Sequence, residues 1–192
     1  MRRALILSAL SGASLALIRA RPPRPGPLPG DGLIRRATLT STVDALLPVP
    51  PRDVWPWLVQ MGAGRAGWYS IDRLDNGGVR SAHEIVPDLQ NLRVGDVLAG
   101  AVSGSMGFTV VTLDPARALV MVLRTARGRM RASYAYVLDE AEGGSTRITT
   151  RLRIGGRPRA LPAAASPLIG LGHAVTQRIQ LANIRRRVTR RG

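Results

Sequence analysis

The chain has 192 residues, 45% of them hydrophobic, and no cysteine: room for one domain with a single core, and none for disulfides or thiolate metal sites. With only His83 and His173 present, a histidine-rich metal centre is excluded as well, and no cofactor is expected. The net charge of +16 is carried by Arg alone, without a single Lys, and it is skewed: residues 1–116 hold 12 Arg and 9 acids, residues 117–192 hold 16 Arg and 3 acids. A basic half could meet phosphates or anionic headgroups. Zinc-finger spacing and strand aromatics of an RNA-reading sheet are both lacking, and the Arg-only skew fits a coding bias; specific nucleic-acid binding is not expected.

Residues 1–30 read as a leader outside the folded core. Two Arg are followed by an apolar run from Ala4 to Ile18. As a helix this run reaches only about 23 Å, short of a hydrocarbon core of about 30 Å. A secretory signal, a helix lying on a membrane surface and a plain appendage all fit; Arg19, Arg21 and Arg24 resist export. The protein is thus cytoplasmic, membrane-associated through this segment, or exported. Residues 22–29 are a Pro-rich spacer.

The folded part, residues 31–188, opens with a strand over 37–49, stopped by Pro48, Pro50 and Pro51. A helix follows, with Pro51 in its first turn and Val54, Trp57, Leu58 and Met61 as its buried stripe; Gly62 and Gly64 end it. Ser70 is a suitable N-cap for one short turn, "IDRLDN". Residues 79–95 read as loop. "GFTVVTLD", "ALVMVLR", "RMRASYAYVLD" and "STRITTRLRIGG" are strands, the last with Ile148, Thr150, Leu152 and Ile154 on a buried face and Arg147, Thr149, Arg151 and Arg153 on a wet one. Ser166-Pro167 opens a final helix to about residue 187. Leu168, Leu171, Val175, Ile179 and Ala182 recur at threes and fours as its expected buried stripe, with His173, Thr176, Gln180 and Arg187 opposite. Residues 189–192 are a basic tail. Strands gathered between two helical regions predict an α+β layer, a curved sheet over one long helix.

Four of the seven aromatic residues, Trp55, Trp57, Trp68 and Tyr69, crowd around the Gly-rich turn in "VWPWLVQMGAGRAGWYSIDRLDN" (54–76). Such a cluster is either a corner of the core or a wall of a ligand cavity. The glycines are not a phosphate loop, since no Gly-Lys-Ser/Thr and no preceding strand accompany them.

This element order, with "PGDGLI", the 54–76 stretch, "HEIVPDLQNLRVGD" and "GGSTRITTRLR", resembles the START-like (SRPBCC) helix-grip superfamily, which includes polyketide cyclase/dehydrase and lipid-transport types. The resemblance covers roughly residues 29–188. It implies a cavity between the concave sheet and the last helix, with Trp68 and Tyr69 closing one end.

The expected function is binding or carrying of a small hydrophobic ligand, with Trp68, Tyr69, Phe108, Tyr134 and Tyr136 lining the cavity. Phe108, Val110 and Thr112 share one strand face, Tyr134 and Tyr136 another. One alternative is a cyclase or dehydratase using Asp72 or His83 as acid or base, since Asp72, Asp75, His83 and Glu84 are the only clustered candidates. Another is a membrane-surface protein held by residues 4–18 and the C-terminal Arg cluster. No two acids recur with a histidine at ligand spacing, so no metal is expected.

Overall fold

In the computed structural model the described residues are 26–103, 106–124, 130–156 and 160–190. The expected leader, apart from residues 26–30, lies outside them, as do the last two residues of the tail. Among the described residues six strands form one antiparallel sheet: β1 (Leu39–Leu47), β2 (Val97–Ala99), β3 (Gly107–Asp114), β4 (Ala118–Arg124), β5 (Met130–Ala141) and β6 (Ser145–Gly156), in the order β1-β6-β5-β4-β3-β2. The helices are α1 (Pro51–Val59), α2 (Asp72–Asp75) and the long α3 (Ala160–Thr189).

The strands follow from the period-2 pattern. Ile148, Thr150, Leu152 and Ile154 of β6 face inward with Tyr134, Tyr136 and Leu138 of β5 and Leu119 and Met121 of β4; all are buried. Along β3 a bulge between Val110 and Thr112 breaks the regular alternation expected there. Helix α1 starts on Pro51 and buries Val54, Trp57 and Leu58, as its spacing requires. The short helix α2 is capped from Ile71, one residue later than expected; Ser70 Oγ instead accepts the Ile71 N–H and donates to Asp75 Oδ2, both at 2.6 Å.

Two expectations about faces are corrected. The outer face of β6 is not wet. Asp31 sits over it, taking Arg151 Nη1 at 2.7 Å and the Leu28 N–H at 2.9 Å, while Arg153 donates to the Ile34 carbonyl at 3.0 Å. Leu28, in the expected spacer, is 5% exposed and packs with Val120, Ala135 and Val137 in a second small core on that face.

The second correction concerns α3. It begins at Ala160 and runs through Pro167, which was expected to start it, giving up one backbone hydrogen bond. More importantly, it lies on the sheet with the opposite face inward. Leu168, Leu171 and Val175 are 79%, 65% and 43% exposed, whereas His173, Gln177 and Gln180 are 8%, 5% and 1% exposed beside Leu181 and Ile184. The helix runs along β1, with Gly170 against Leu39 and His173 bonded to Ser41.

Candidate functional site: a cavity under the C-terminal helix

Residues 62–67 form a tight hairpin-like turn. Gly62 and Gly67 exchange backbone hydrogen bonds at 3.0 and 3.2 Å, and Gly62, Gly64 and Gly67 all take positive φ. This reversal sends Trp68 and Tyr69 in opposite directions. Tyr69, itself left-handed at φ 57°, turns into the core. Its ring meets Trp57 edge-on at 5.9 Å, its hydroxyl accepts from Gln60 Nε2 at 2.8 Å, and the Arg187 guanidinium sits 4.7 Å from its ring centre. Burial pushes its hydroxyl up to about 12. Tyr69 therefore belongs to the core corner and is not among the cavity-lining residues, contrary to expectation.

Trp68 turns the other way, its Nε1–H donating to the Ala99 carbonyl at 3.0 Å. Its ring begins an aromatic chain: Trp68 to Phe108 at 5.7 Å, Phe108 to Tyr134 at 6.2 Å, Tyr134 to Tyr136 at 5.1 Å. Edge-on and tilted contacts at these distances are the favourable arrangement for rings. The four rings, with Met121, Met106, Ile71 and Leu74, line a cavity of about 330 Å³ between the sheet and α3. Trp55 and Trp57 pack at the junction of α1 and the sheet, in the main core. The aromatic cluster of the sequence is thus both of the things it could be: core corner for Tyr69, Trp55 and Trp57, cavity wall for Trp68.

The polar side of the cavity comes from α3, on residues expected to face outward. His173 Nε2 lies 3.2 Å from the Tyr134 hydroxyl and its Nδ1 lies 2.9 Å from Ser41 Oγ. Burial lowers the His173 pKa to about 4, so the imidazole is neutral at pH 7. The same desolvation raises Tyr134 and Tyr136, which stay protonated. Tyr136 donates to Gln180 Oε1 at 2.8 Å, and Gln180 Nε2 donates to the Trp68 carbonyl at 2.6 Å. Asn183 and Arg187 continue this grip, donating to the carbonyls of Tyr69 (2.8 Å) and Ala82 (2.7 Å). The long helix is thereby fastened to the aromatic corner.

The acid–base candidates fall elsewhere. Asp72 accepts from Ser81 Oγ at 2.5 Å and from the Ser81 N–H at 3.1 Å, and His83 is exposed in its loop with Glu84; none of the three lines the cavity. Neither Asp72 nor His83 is placed to carry a proton in the cavity, contrary to expectation: the carboxylate is committed to holding a loop and the imidazole is solvent-exposed outside the lining. Asp75 does line the cavity, and burial raises its carboxyl pKa. Among the described residues no group of three or more His, Cys, Asp or Glu could hold a metal, and no helix is long and apolar enough to cross a membrane. Thr176, Gln177 and Gln180 were passed over as cavity residues. The signal that could have found them is the run of uncharged polar side chains at helical spacing, His173, Thr176, Gln177, Gln180 and Asn183.

Sheet, gripping helix and the space between them define the class: a helix-grip α+β fold. No family model and no curated protein matches the sequence. Among solved structures, protein jhp0584 of Helicobacter pylori is similar with a TM-score of 0.55 and 12% identity, over 85% of this chain and 96% of that one. Protein MLL2253 of Mesorhizobium loti is similar with a TM-score of 0.49 and 15% identity, over 80% of this chain and 98% of that one. Ara h 8.0201 has the same score and identity, over 79% and 98%. At such identities the likeness is one of fold.

Proposed function

We propose that the protein binds a small hydrophobic molecule between the sheet and α3, held against Trp68, Phe108, Tyr134 and Tyr136. The observation that carries this reading is the cavity itself: about 330 Å³ left open amid side chains that elsewhere pack tightly. Apolar burial worth about 25 cal/mol per Å² would supply most of the affinity, and the few polar groups would orient the guest. Proton transfer is less well served. A working acid or base needs a pKa near the operating pH; burial drives the tyrosines up and His173 down, away from it, and of the described lining residues only the Asp75 carboxyl is moved toward it.

Two measurements test the proposal. Organic extraction of the purified protein, followed by mass spectrometry, should recover an apolar compound, and the neutral dye N-phenyl-1-naphthylamine should bind saturably with enhanced fluorescence. Thr176→Trp places an indole in the cavity and should weaken dye binding by about a hundredfold while costing at most about 1 kcal/mol of stability, because the ring enters free space. An empty extract together with a lack of saturable dye binding would refute the reading.

A second reading, attachment to a membrane surface, is favoured by the exposed apolar row Leu168, Leu171 and Val175 on α3. The full chain should then float with liposomes rich in phosphatidylserine, and the pair Leu168→Asp and Leu171→Asp should release it. Unchanged flotation of that variant would exclude this face.

A further inference from the structure

Which guest the cavity accepts follows from a donor and acceptor count, resting on the reading that it binds one. Most side-chain donors around it, among the described residues, are already spent on protein acceptors. Trp68 Nε1 donates to the Ala99 carbonyl, Tyr136 to Gln180, Gln180 to the Trp68 carbonyl, Ser70 to Asp75 Oδ2, and Thr176 to the Gly172 carbonyl at 2.9 Å. The Tyr134 hydroxyl is engaged with His173. Two acceptors remain over. Gln177 Oε1 and Asp75 Oδ1 are buried with no hydrogen-bond partner, and Gln177 as a whole is only 5% exposed.

Charge tells the same story. The chain has 28 Arg, yet among the described residues none lines the cavity; the one carboxylate there is Asp75, and the imidazole of His173 is held neutral by burial. An anionic headgroup entering here would lose its water, meet no cationic side chain among the described lining residues, and face the Asp75 carboxyl. A hydroxyl or N–H on an apolar body would instead satisfy an acceptor that now has nothing, which is the costlier state for a buried polar atom.

We infer that the cavity selects an uncharged apolar molecule carrying a hydrogen-bond donor, seated with that donor on Gln177 Oε1 beside Asp75, and that it rejects carboxylate amphiphiles such as free fatty acids. The exposed Arg residues draw anions to the surface; the interior turns them away.

Three fluorescent probes of one shape test this on the full chain: 1-pyrenemethanol, its methyl ether, and 1-pyrenecarboxylate, titrated in salt sufficient to screen the exposed Arg residues. The alcohol should bind best, the ether about tenfold more weakly for the lost hydrogen bond. The carboxylate should be weaker than the alcohol by about a hundredfold or more and fail to displace it. Gln177→Leu should bring alcohol and ether to equal affinity; because the wild-type ranking decides the matter alone, a variant that fails to fold leaves the test intact. A carboxylate that binds as well as the alcohol, or an ether that matches it, overturns the inference while the cavity reading stands. If none of the three binds, the cavity reading itself falls and takes the inference with it.

Discussion

Gly67→Ala is expected to destabilise the protein by about 2–5 kcal/mol, from two separate costs. The first is conformational: Gly67 has φ +78°, and a residue with a Cβ in the left-handed region costs about 1–2 kcal/mol. The second is steric. A Cβ at this position would fall 2.8 Å from Ser81 Cβ and 2.9 Å from Ser81 Cα, so backbone must move, an overpacking cost of about 1–3 kcal/mol. Ser81 is a poor residue to displace. Its Oγ takes the Tyr69 N–H at 3.1 Å and donates to Asp72, and its carbonyl takes Arg187 at 3.2 Å. Gly64 supplies the control. It has φ +73° with nothing within 4 Å of a built Cβ, so Gly64→Ala should cost only the conformational part. Chemical denaturation of the two variants should separate them by about 1–3 kcal/mol. Equal losses would mean that the contact with Ser81 is not what demands glycine.

That pair of glycines also marks how far the sequence could be read. A Gly-rich reversal between a helix and an aromatic pair was legible, because only glycine adopts positive φ without strain. Which of the two rings enters the cavity was not. Trp68 and Tyr69 are adjacent, and their division between cavity and core is fixed by a Tyr69 backbone at φ 57° that composition does not announce. The strands were legible through alternation, which put Tyr134 and Tyr136 on one face of a strand and Phe108 on a face with Val110 and Thr112, but did not say which face is inward. The outer face of β6 was misread because its cover comes from Asp31, 120 residues away from Arg151, and nothing local encodes that pairing.

Helix α3 was misread for a different reason. Apolar residues at threes and fours normally mark the buried face. That rule assumes that the helix packs on a solid core. Here the inward face roofs a cavity and holds a loop, tasks for side chains that donate and accept without carrying charge. His173, Gln177, Gln180 and Asn183 do this, while Leu181 and Ile184 supply apolar contact lower down. The apolar row Leu168, Leu171 and Val175 is left outward. The opposite face of the helix therefore carries the site, and a reader looking for function should weigh a neutral polar stripe as heavily as an apolar one.

Acidification is expected to expose the role of His173 in that stripe. The folded protein holds its imidazole neutral with a pKa lowered to about 4, against 6.5 for the unfolded chain. Between those two values the unfolded state binds more protons, so stability must fall as pH falls; above pH 6.5 the contribution is constant. The shift corresponds to about 3 kcal/mol lost by pH 4. Its cause is desolvation: a second ring proton would remove the imidazole's acceptor and bury a charge against the Tyr134 ring, 5.3 Å away. Of the groups around it, Ser41 does not titrate and Tyr134 stays protonated throughout, but Asp75 shares the cavity and its carboxyl pKa is raised by burial. The quantity to measure is therefore a difference. Urea denaturation of wild type and His173→Gln at a series of pH values should give two curves that converge as pH falls from 6.5 to 4, the variant being the less stable at neutral pH and the flatter below it. Parallel curves over that range would mean that the imidazole reaches water, and that the cavity is open at its polar end.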